Sequence, residues 1–382
     1  MQKSKLFSIG LAIFAMLFGA GNIVFPLGLG RDVGDMVGFA LIGFCLTGVV
    51  VPLLGLITGI FFNGDYKKLL GTIGAVPGAI VAFICMVLIG PFGATPRCIT
   101  LSYAAISWHV PGLTLFMFSL IAAVLVFLAT IRKNGVVGLL GRFLGPIKLT
   151  LLLSIIVLGI LYPSTSRALD LSAWQSFFAG LHEGYWTMDL LGTIFFSGLI
   201  ISSIRHYNRD KEISTGQIAW LGMQAGVIGG LLLGLVYTGF CYVSSMYSAQ
   251  VMGVPKDQLL SALATLILGP KAAFLANLTV SVACLTTAIA LTTVFADYLC
   301  TEIFRNKVSY IYSLLVTVVT VFVMSNLGFA GIARVIEPIV VLCYPALIVL
   351  CLANIAQKLF KFDYVKTVVF ATFVITLIMQ VL

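Results

Sequence analysis

The run Phe18-Gly19-Ala20-Gly21-Asn22, followed by Phe25-Pro26, sets two glycines, an asparagine and a proline inside an otherwise apolar stretch. Glycine and proline weaken a helix, and backbone that opens in lipid persists only where it lines a cavity. A half-helix N-terminus exposes free N–H groups that suit a carboxylate. Close helix packing also favours small residues, so this run alone leaves packing and unwinding both open. Phe195-Phe196-Ser197-Gly198 is a milder interruption of the same kind. In Ala283-Cys284-Leu285-Thr286-Thr287, two adjacent hydroxyls offer hard oxygen ligands for a small cation, although a single threonine usually bonds back to its own helix. Ile89-Gly90-Pro91-Phe92 through Pro96-Arg97 adds two prolines and an arginine to a third apolar stretch.

Such groups need rigid elements around them, and the composition says in what solvent. The 382 residues are 60% hydrophobic and only 9% charged, against about 25% charged in water-soluble domains. Lipid is therefore the solvent for most of the chain. The net charge of +9 does not mark a nucleic-acid binder, because the basic residues are scattered between apolar runs. The eight cysteines lie inside apolar stretches and the three histidines are far apart, a pattern of neither disulfides nor metal ligands. No nucleophile–base pair or H-E-x-x-H helix points to an intramembrane enzyme, and no repeated filter motif points to a channel.

A bilayer crossing takes about 20 apolar residues. The apolar stretches predict eleven spans, at 6–29, 36–61, 75–106, 113–131, 144–161, 188–204, 218–246, 272–299, 308–324, 335–353 and 365–382. With the N-terminus in the cytoplasm, sixteen of the 22 Lys and Arg fall inside and five outside, with Arg97 left within a span. This orientation predicts an outside C-terminus. Residues 171–186 and 254–268 are too short to span and read as short helices capping the outer side. Gly222, Gly226, Gly230 and Gly234 form a four-residue ladder read as a packing face.

Spans one and six are five helices apart. Interrupted helices at matching positions of two inverted repeats point to a transporter's central site. The fold class expected is thus an all-α integral membrane protein, one domain over 1–382. It comprises a first repeat over 6–161, a second over 188–353 and an extra helix over 365–382. No charged residue lies at either expected break, which fits a zwitterion with an aliphatic side chain. Arg97 at depth costs ~2.5–3.5 kcal/mol on insertion scales and needs a partner. It pairs either with Glu337, forming an outer gate, or with backbone carbonyls while Arg334 takes Glu337.

Leu17-Phe18-Gly19-Ala20-Gly21-Asn22-Ile23-Val24-Phe25-Pro26, Ile89-Gly90-Pro91-Phe92 to Pro96-Arg97, Gly184-Tyr185-Trp186-Thr187-Met188-Asp189 and Cys284-Leu285-Thr286-Thr287-Ala288 with Leu291-Thr292-Thr293 resemble the bacterial branched-chain amino acid:cation symporter family. The resemblance covers nearly the whole chain. It implies the leucine-transporter fold and sodium-coupled uptake of leucine, isoleucine and valine, with methionine overlapping, across the bacterial inner membrane. Such carriers usually have twelve spans, one more than expected here. The resemblance carries a sodium site over to the carbonyls of Ala15, Phe18 and Ala283 and the hydroxyls of Thr286 and Thr287. It places the substrate carboxylate near Gly19, Ala20, Gly21 and Asn22, and the amine at carbonyls of Phe195 to Gly198 or at Ser197 Oγ. The side chain then sits among Phe92, Phe195, Phe196 and Leu291. Membrane lipid is the other expected partner, with no obligate protein partner and no cofactor beyond the coupling ion. The rival within this fold is a proton-coupled or uncoupled carrier, which turns attention to Lys148.

Overall fold

The computed structural model describes residues 3–131, 136–207 and 214–381. The described residues contain helices and no strands. Helices dominate because in lipid each backbone N–H and C=O must be satisfied within its own segment. α1 (Lys3–Leu17) and α2 (Gly21–Val33) are separated by Phe18, Gly19 and Ala20. α3 (Val37–Cys45) continues into α4 (Val51–Phe61) through a π-helical turn at Leu46–Val50. After the short α5 (Tyr66–Gly71), α6 (Ala75–Ile89) and α7 (Ala94–Ser107) are joined by a turn at residues 90–93. α8 (Leu115–Ile131) and α9 (Val136–Leu161) follow. The side chain of Lys148 lies outside the described residues.

The second half begins with α10 (Ala173–Tyr185) and α11 (Asp189–Tyr207). They bend by 44° across Trp186, Thr187 and Met188. α12 (Thr215–Met246) precedes α13 (Leu259–Tyr298), which kinks at Gly269, whose φ of 79° ends its short first segment before Pro270. α14 (Tyr310–Ser325), α15 (Gly328–Phe360) and α16 (Val365–Val381) complete the chain.

Among the described residues, five helical stretches are long and apolar enough to cross a membrane, α10 with α11 forms one further bent span, and five shorter apolar helices accompany them. The exterior agrees with lipid as solvent: Leu231 and Phe370 are each 69% exposed. Burying them in water-excluding hydrocarbon removes the penalty that such a surface would carry in water.

Two expectations change here. Residues 171–186 are not a separate cap: α10 packs on α3 and, together with α11, has the length and apolarity of one bent span. The sixth-span break is not at Phe195–Gly198, which lie in the continuous helix α11. Their small side chains serve packing. A Cβ on Gly59 of α4 would come within 2.5 Å of Ser197 Cβ, and Gly198 lies directly against the Gly64 turn. The glycine ladder on α12 packs as expected, with Gly226 and Gly230 against Leu56 and Leu53 of α4.

α5 starts at Asp65, whose carboxylate accepts the backbone N–H groups of Lys67 and Lys68 at 3.1 Å each. Asp65→Ala is expected to cost about 1 kcal/mol of stability, read as a lower melting midpoint with uptake nearly unchanged.

Candidate functional site

The two half-helix pairs meet at mid-chain breaks that face each other. Asn22, at the start of α2, donates from Nδ2 to Asp189 Oδ2 at 2.7 Å. It also bonds Tyr237 of α12, whose hydroxyl donates to the same carboxylate oxygen at 2.8 Å. Asn22 Oδ1 accepts the Gly19 N–H at 2.8 Å, closing the opened backbone of the first span. Met188 takes a left-handed conformation with φ 58°, uncommon for a non-glycine residue, and turns the chain so that Asp189 opens α11. Asp189 is 5% exposed and Asn22 2%. A carboxylate therefore stands at the sixth-span break, against the expectation that none would.

A pocket opens between the breaks, lined by Gly19, Ala20, Gly21 and Asn22 from the first span and by Thr187, Met188 and Asp189 from the sixth. Phe196 and Leu291, two of the residues expected around the substrate side chain, also line it. Phe92, Phe195, Ser197 and Gly198 are not among its lining residues. Phe92 sits in the α6–α7 turn, the Phe195 ring packs 4.8 Å from Tyr66, and Ser197 Oγ donates to Ile194 O at 2.8 Å. Leu17 and Ile89 supply apolar lining instead.

Arg97 is 1% exposed and lines the same pocket. Its Nη1 donates to Trp186 O at 3.0 Å, a carbonyl freed by the sixth-span break. The guanidinium stacks on Phe25, Trp186 and Phe329 at 5.2–5.6 Å, and such cation–π contacts strengthen when desolvated. Among the described residues there is no Arg97–Glu337 ion pair, and Glu337 is exposed on α15. Of the two readings of Arg97, the structure shows the backbone carbonyl. At one end of the bundle Lys256 links two spans, its Nζ 2.8 Å from Glu183 of α10 and 3.5 Å from Asp32 of α2. Elsewhere, Lys67 pairs with Glu302 at 2.7 Å.

The hydroxyls of Thr286 and Thr287 both donate to Ala283 O, at 2.8 and 3.1 Å. Three of the five oxygens expected around sodium are thus gathered on one face of α13. Thr287 also lines the pocket. Ala15 is in the last turn of α1, and Phe18 is the first residue of the break.

A bundle of apolar helices, two of its spans opened toward one central pocket, defines a multi-pass membrane transporter. Solved structures agree on the fold. The inward-facing conformation of Mhp1 superposes with a TM-score of 0.66 at 12% identity, over 92% of this chain and 77% of that one. MhsT in complex with L-phenylalanine gives 0.53 at 14% identity, over 98% and 99%. These likenesses place the chain in the leucine-transporter fold. The family described as branched-chain amino acid transport protein matches residues 2–382. The chain is 32% identical to the branched-chain amino acid permease BraB of Bacillus subtilis, over 92% of its length and 80% of the relative's. It is 30% identical to the permease BrnQ of Escherichia coli K12, over 94% and 82%. The chain belongs to the branched-chain amino acid transport protein family; it is a transporter and not an enzyme.

Proposed function

We propose that this protein imports leucine, isoleucine and valine across the bacterial inner membrane, driven by sodium entering with the substrate. The observation that carries the reading is the pair of facing breaks in the first and sixth spans, bonded to each other through Asn22 and Asp189. Family membership supports the substrate class. The carboxylate is assigned to the α2 N-terminus at Gly19, Ala20, Gly21 and Asn22, where the N–H groups of a helix start favour an anion. The aliphatic side chain is assigned to Leu17, Ile89, Phe196 and Leu291. An apolar pocket separates aliphatics by only ~1–3 kcal/mol per methylene, so methionine overlaps.

Sodium is assigned to the carbonyls of Ala15, Phe18 and Ala283 and the hydroxyls of Thr286 and Thr287. Thr287 lines the pocket, which supports this assignment; both hydroxyls bond back to their own helix at Ala283 O, as helical threonines usually do, and keep oxygen lone pairs for a cation. One cation entering at 100 mV contributes ~2.3 kcal/mol, and a tenfold gradient about 1.4 kcal/mol more. Together they sustain several-hundredfold accumulation of a neutral amino acid.

Alternating access is read as motion of two inverted repeats, the first over 6–161 and the second beginning with α10 at Ala173, with α16 outside them. Eleven spans then leave the N-terminus in the cytoplasm and the C-terminus outside. The likeness to an inward-facing structure supports an outer side closed by Lys256, Glu183 and Asp32.

Leucine uptake into proteoliposomes under an inward sodium gradient tests the proposal, against potassium at matched pH and voltage. Sodium is expected to stimulate uptake at least about tenfold, and Thr287→Ala to remove that stimulation by deleting a cation ligand. Uptake indifferent to sodium but driven by a pH gradient overturns the sodium assignment. Absence of leucine uptake under either gradient overturns the substrate.

A further inference from the structure

Among the described residues, Asp189 is the only acidic residue lining the central pocket, and Arg97 the only basic one. The Asp189 side chain is nearly sealed from solvent, yet both side-chain donors that reach Oδ2 are neutral, the Asn22 amide and the Tyr237 hydroxyl. No ion pair to Asp189 occurs among the described residues. An ionised carboxylate accepts at about four lone-pair positions, and the two bonds on Oδ2 leave acceptor capacity toward the pocket. A charged side chain at membrane depth marks a functional site whose partner should be nameable. The pocket's other polar wall carries the opposite sign. There the Arg97 Nε and Nη2 are buried without hydrogen-bond partners, and the α2 N-terminus presents N–H groups.

We propose that Asp189 is the acceptor for the substrate's α-ammonium group, and so selects α-amino acids against the corresponding carboxylic acids. This rests on the reading of the pocket as the amino acid site and moves the amine from Phe195–Gly198 to the start of α11. The substrate zwitterion then lies with its ammonium on Asp189 and its carboxylate toward the α2 N-terminus and Arg97. The isobutyl chain of leucine falls among Leu17, Ile89, Phe196 and Leu291. Discrimination is by charge and donor count: a neutral or absent amino group leaves the Asp189 carboxylate buried without a cation. An unpaired buried charge is costly. Asn22 and Tyr237 fix the carboxylate's position, so binding the ammonium needs little reorganisation of the site.

The test compares equilibrium binding of leucine with that of 4-methylpentanoate, which is leucine without its amino group, to the purified full-length protein in sodium. Competition by 3-methylbutylamine, leucine without its carboxylate, runs alongside. The unmodified protein is expected to prefer leucine over 4-methylpentanoate on the order of a hundredfold. Asp189→Asn is expected to weaken leucine by a similar factor while leaving 4-methylpentanoate unchanged or tighter, so that the ratio collapses. It is also expected to weaken 3-methylbutylamine. Asp189→Glu is expected to recover part of the ratio, because the negative charge returns. If Asp189→Asn fails to elute as folded protein, Asp189→Ser reads the same ratio while keeping an oxygen acceptor for Asn22. A folded variant that keeps the leucine preference overturns the proposal. So does one that loses only the sodium dependence of leucine binding, which would make Asp189 a cation ligand. No leucine binding by the unmodified protein would refute instead the amino acid reading on which the proposal rests.

Discussion

Gly180→Ala is expected to lower the melting temperature of the protein by several degrees and to reduce transport at least about tenfold, although it adds one methyl group. The Cβ at this position would fall on the carbonyl oxygen of Ala40 in α3, with Ala40 C at 2.8 Å and Phe44 N at 2.9 Å. These are backbone atoms, so no side-chain rotation relieves the overlap, and overpacking of this kind costs ~1–3 kcal/mol or more. Gly43 and Gly184 are equally tight from the two sides of the same contact, Gly43 against Phe177 O and Leu181 N, Gly184 against Thr47 and Phe44 O. Bare backbone lets α10 and α3 approach closely where lipid provides no hydrophobic drive for association. The α10 helix must therefore retreat to admit a methyl group. Six residues further on, its last free carbonyl, Trp186 O, receives Arg97, and Asp189 follows across the break. A shift of α10 thus reaches the pocket. Gly38→Ala on the same α3 is the control, because nothing lies within 4 Å of its Cβ. It is expected to be neutral or slightly stabilising through helix propensity. Equal melting temperatures for the two variants would show that the α3–α10 contact tolerates expansion, against this account.

The first break was legible in the sequence and the sixth was not, for a physical reason. Gly19 and Gly21 are local helix breakers, and so are Gly90 and Pro91 in the third span; each marks an interruption by residue type, whereas Pro26 lies within the continuous helix α2. The sixth break runs through Trp186, Thr187 and Met188, none of which opens a helix by itself. It is maintained by contacts from elsewhere in the chain: Arg97 on Trp186 O, Asn22 and Tyr237 on Asp189, and locally Thr187 Oγ1 on Gly184 O at 2.9 Å. One signal was present. Asp189 heads an apolar run of membrane length, and an acid there makes sense where a helix begins and its N–H groups point at the carboxylate. Ser197 and Gly198 misled because small residues mean either an opening or a close neighbour, and α4 is that neighbour. Arg97 could not be assigned from sequence because its acceptor is a backbone carbonyl, which leaves no trace in residue type. Thr286 and Thr287 can be nominated as cation ligands from the sequence because a hydroxyl pair is visible there, whereas the carbonyls of Ala15 and Phe18 follow only from family resemblance.

Asn22→Asp is expected to be more damaging than Asn22→Ala, although aspartate is nearly the shape of asparagine. Asn22 joins the two breaks. Its oxygen accepts Gly19 N–H, and its amide reaches Asp189 and the Tyr237 hydroxyl. Alanine removes these bonds and leaves buried donors and acceptors unsatisfied, at ~1–3 kcal/mol for each group that finds no water. Aspartate keeps the bond to Gly19 but replaces the donor facing Asp189 with an acceptor, and sets two carboxylates within hydrogen-bonding distance. Like charges that close cannot both stay ionised at low cost. The variant is expected to melt below Asn22→Ala at neutral pH and to recover when the pH is lowered, as one carboxylate takes a proton and becomes a donor. The reciprocal variant, Asn22→Asp with Asp189→Asn, restores one donor and one acceptor across the breaks. It is therefore expected to melt above both single variants, with a coupling of roughly 1–3 kcal/mol, while leucine binding stays weak because the carboxylate has moved to the first span. Strictly additive effects on stability would mean that the two spans are held open by their separate surroundings and not by the bond between them. Stability restored together with full leucine affinity would mean that the pocket needs one carboxylate but not its position, which would detach ammonium recognition from the start of α11.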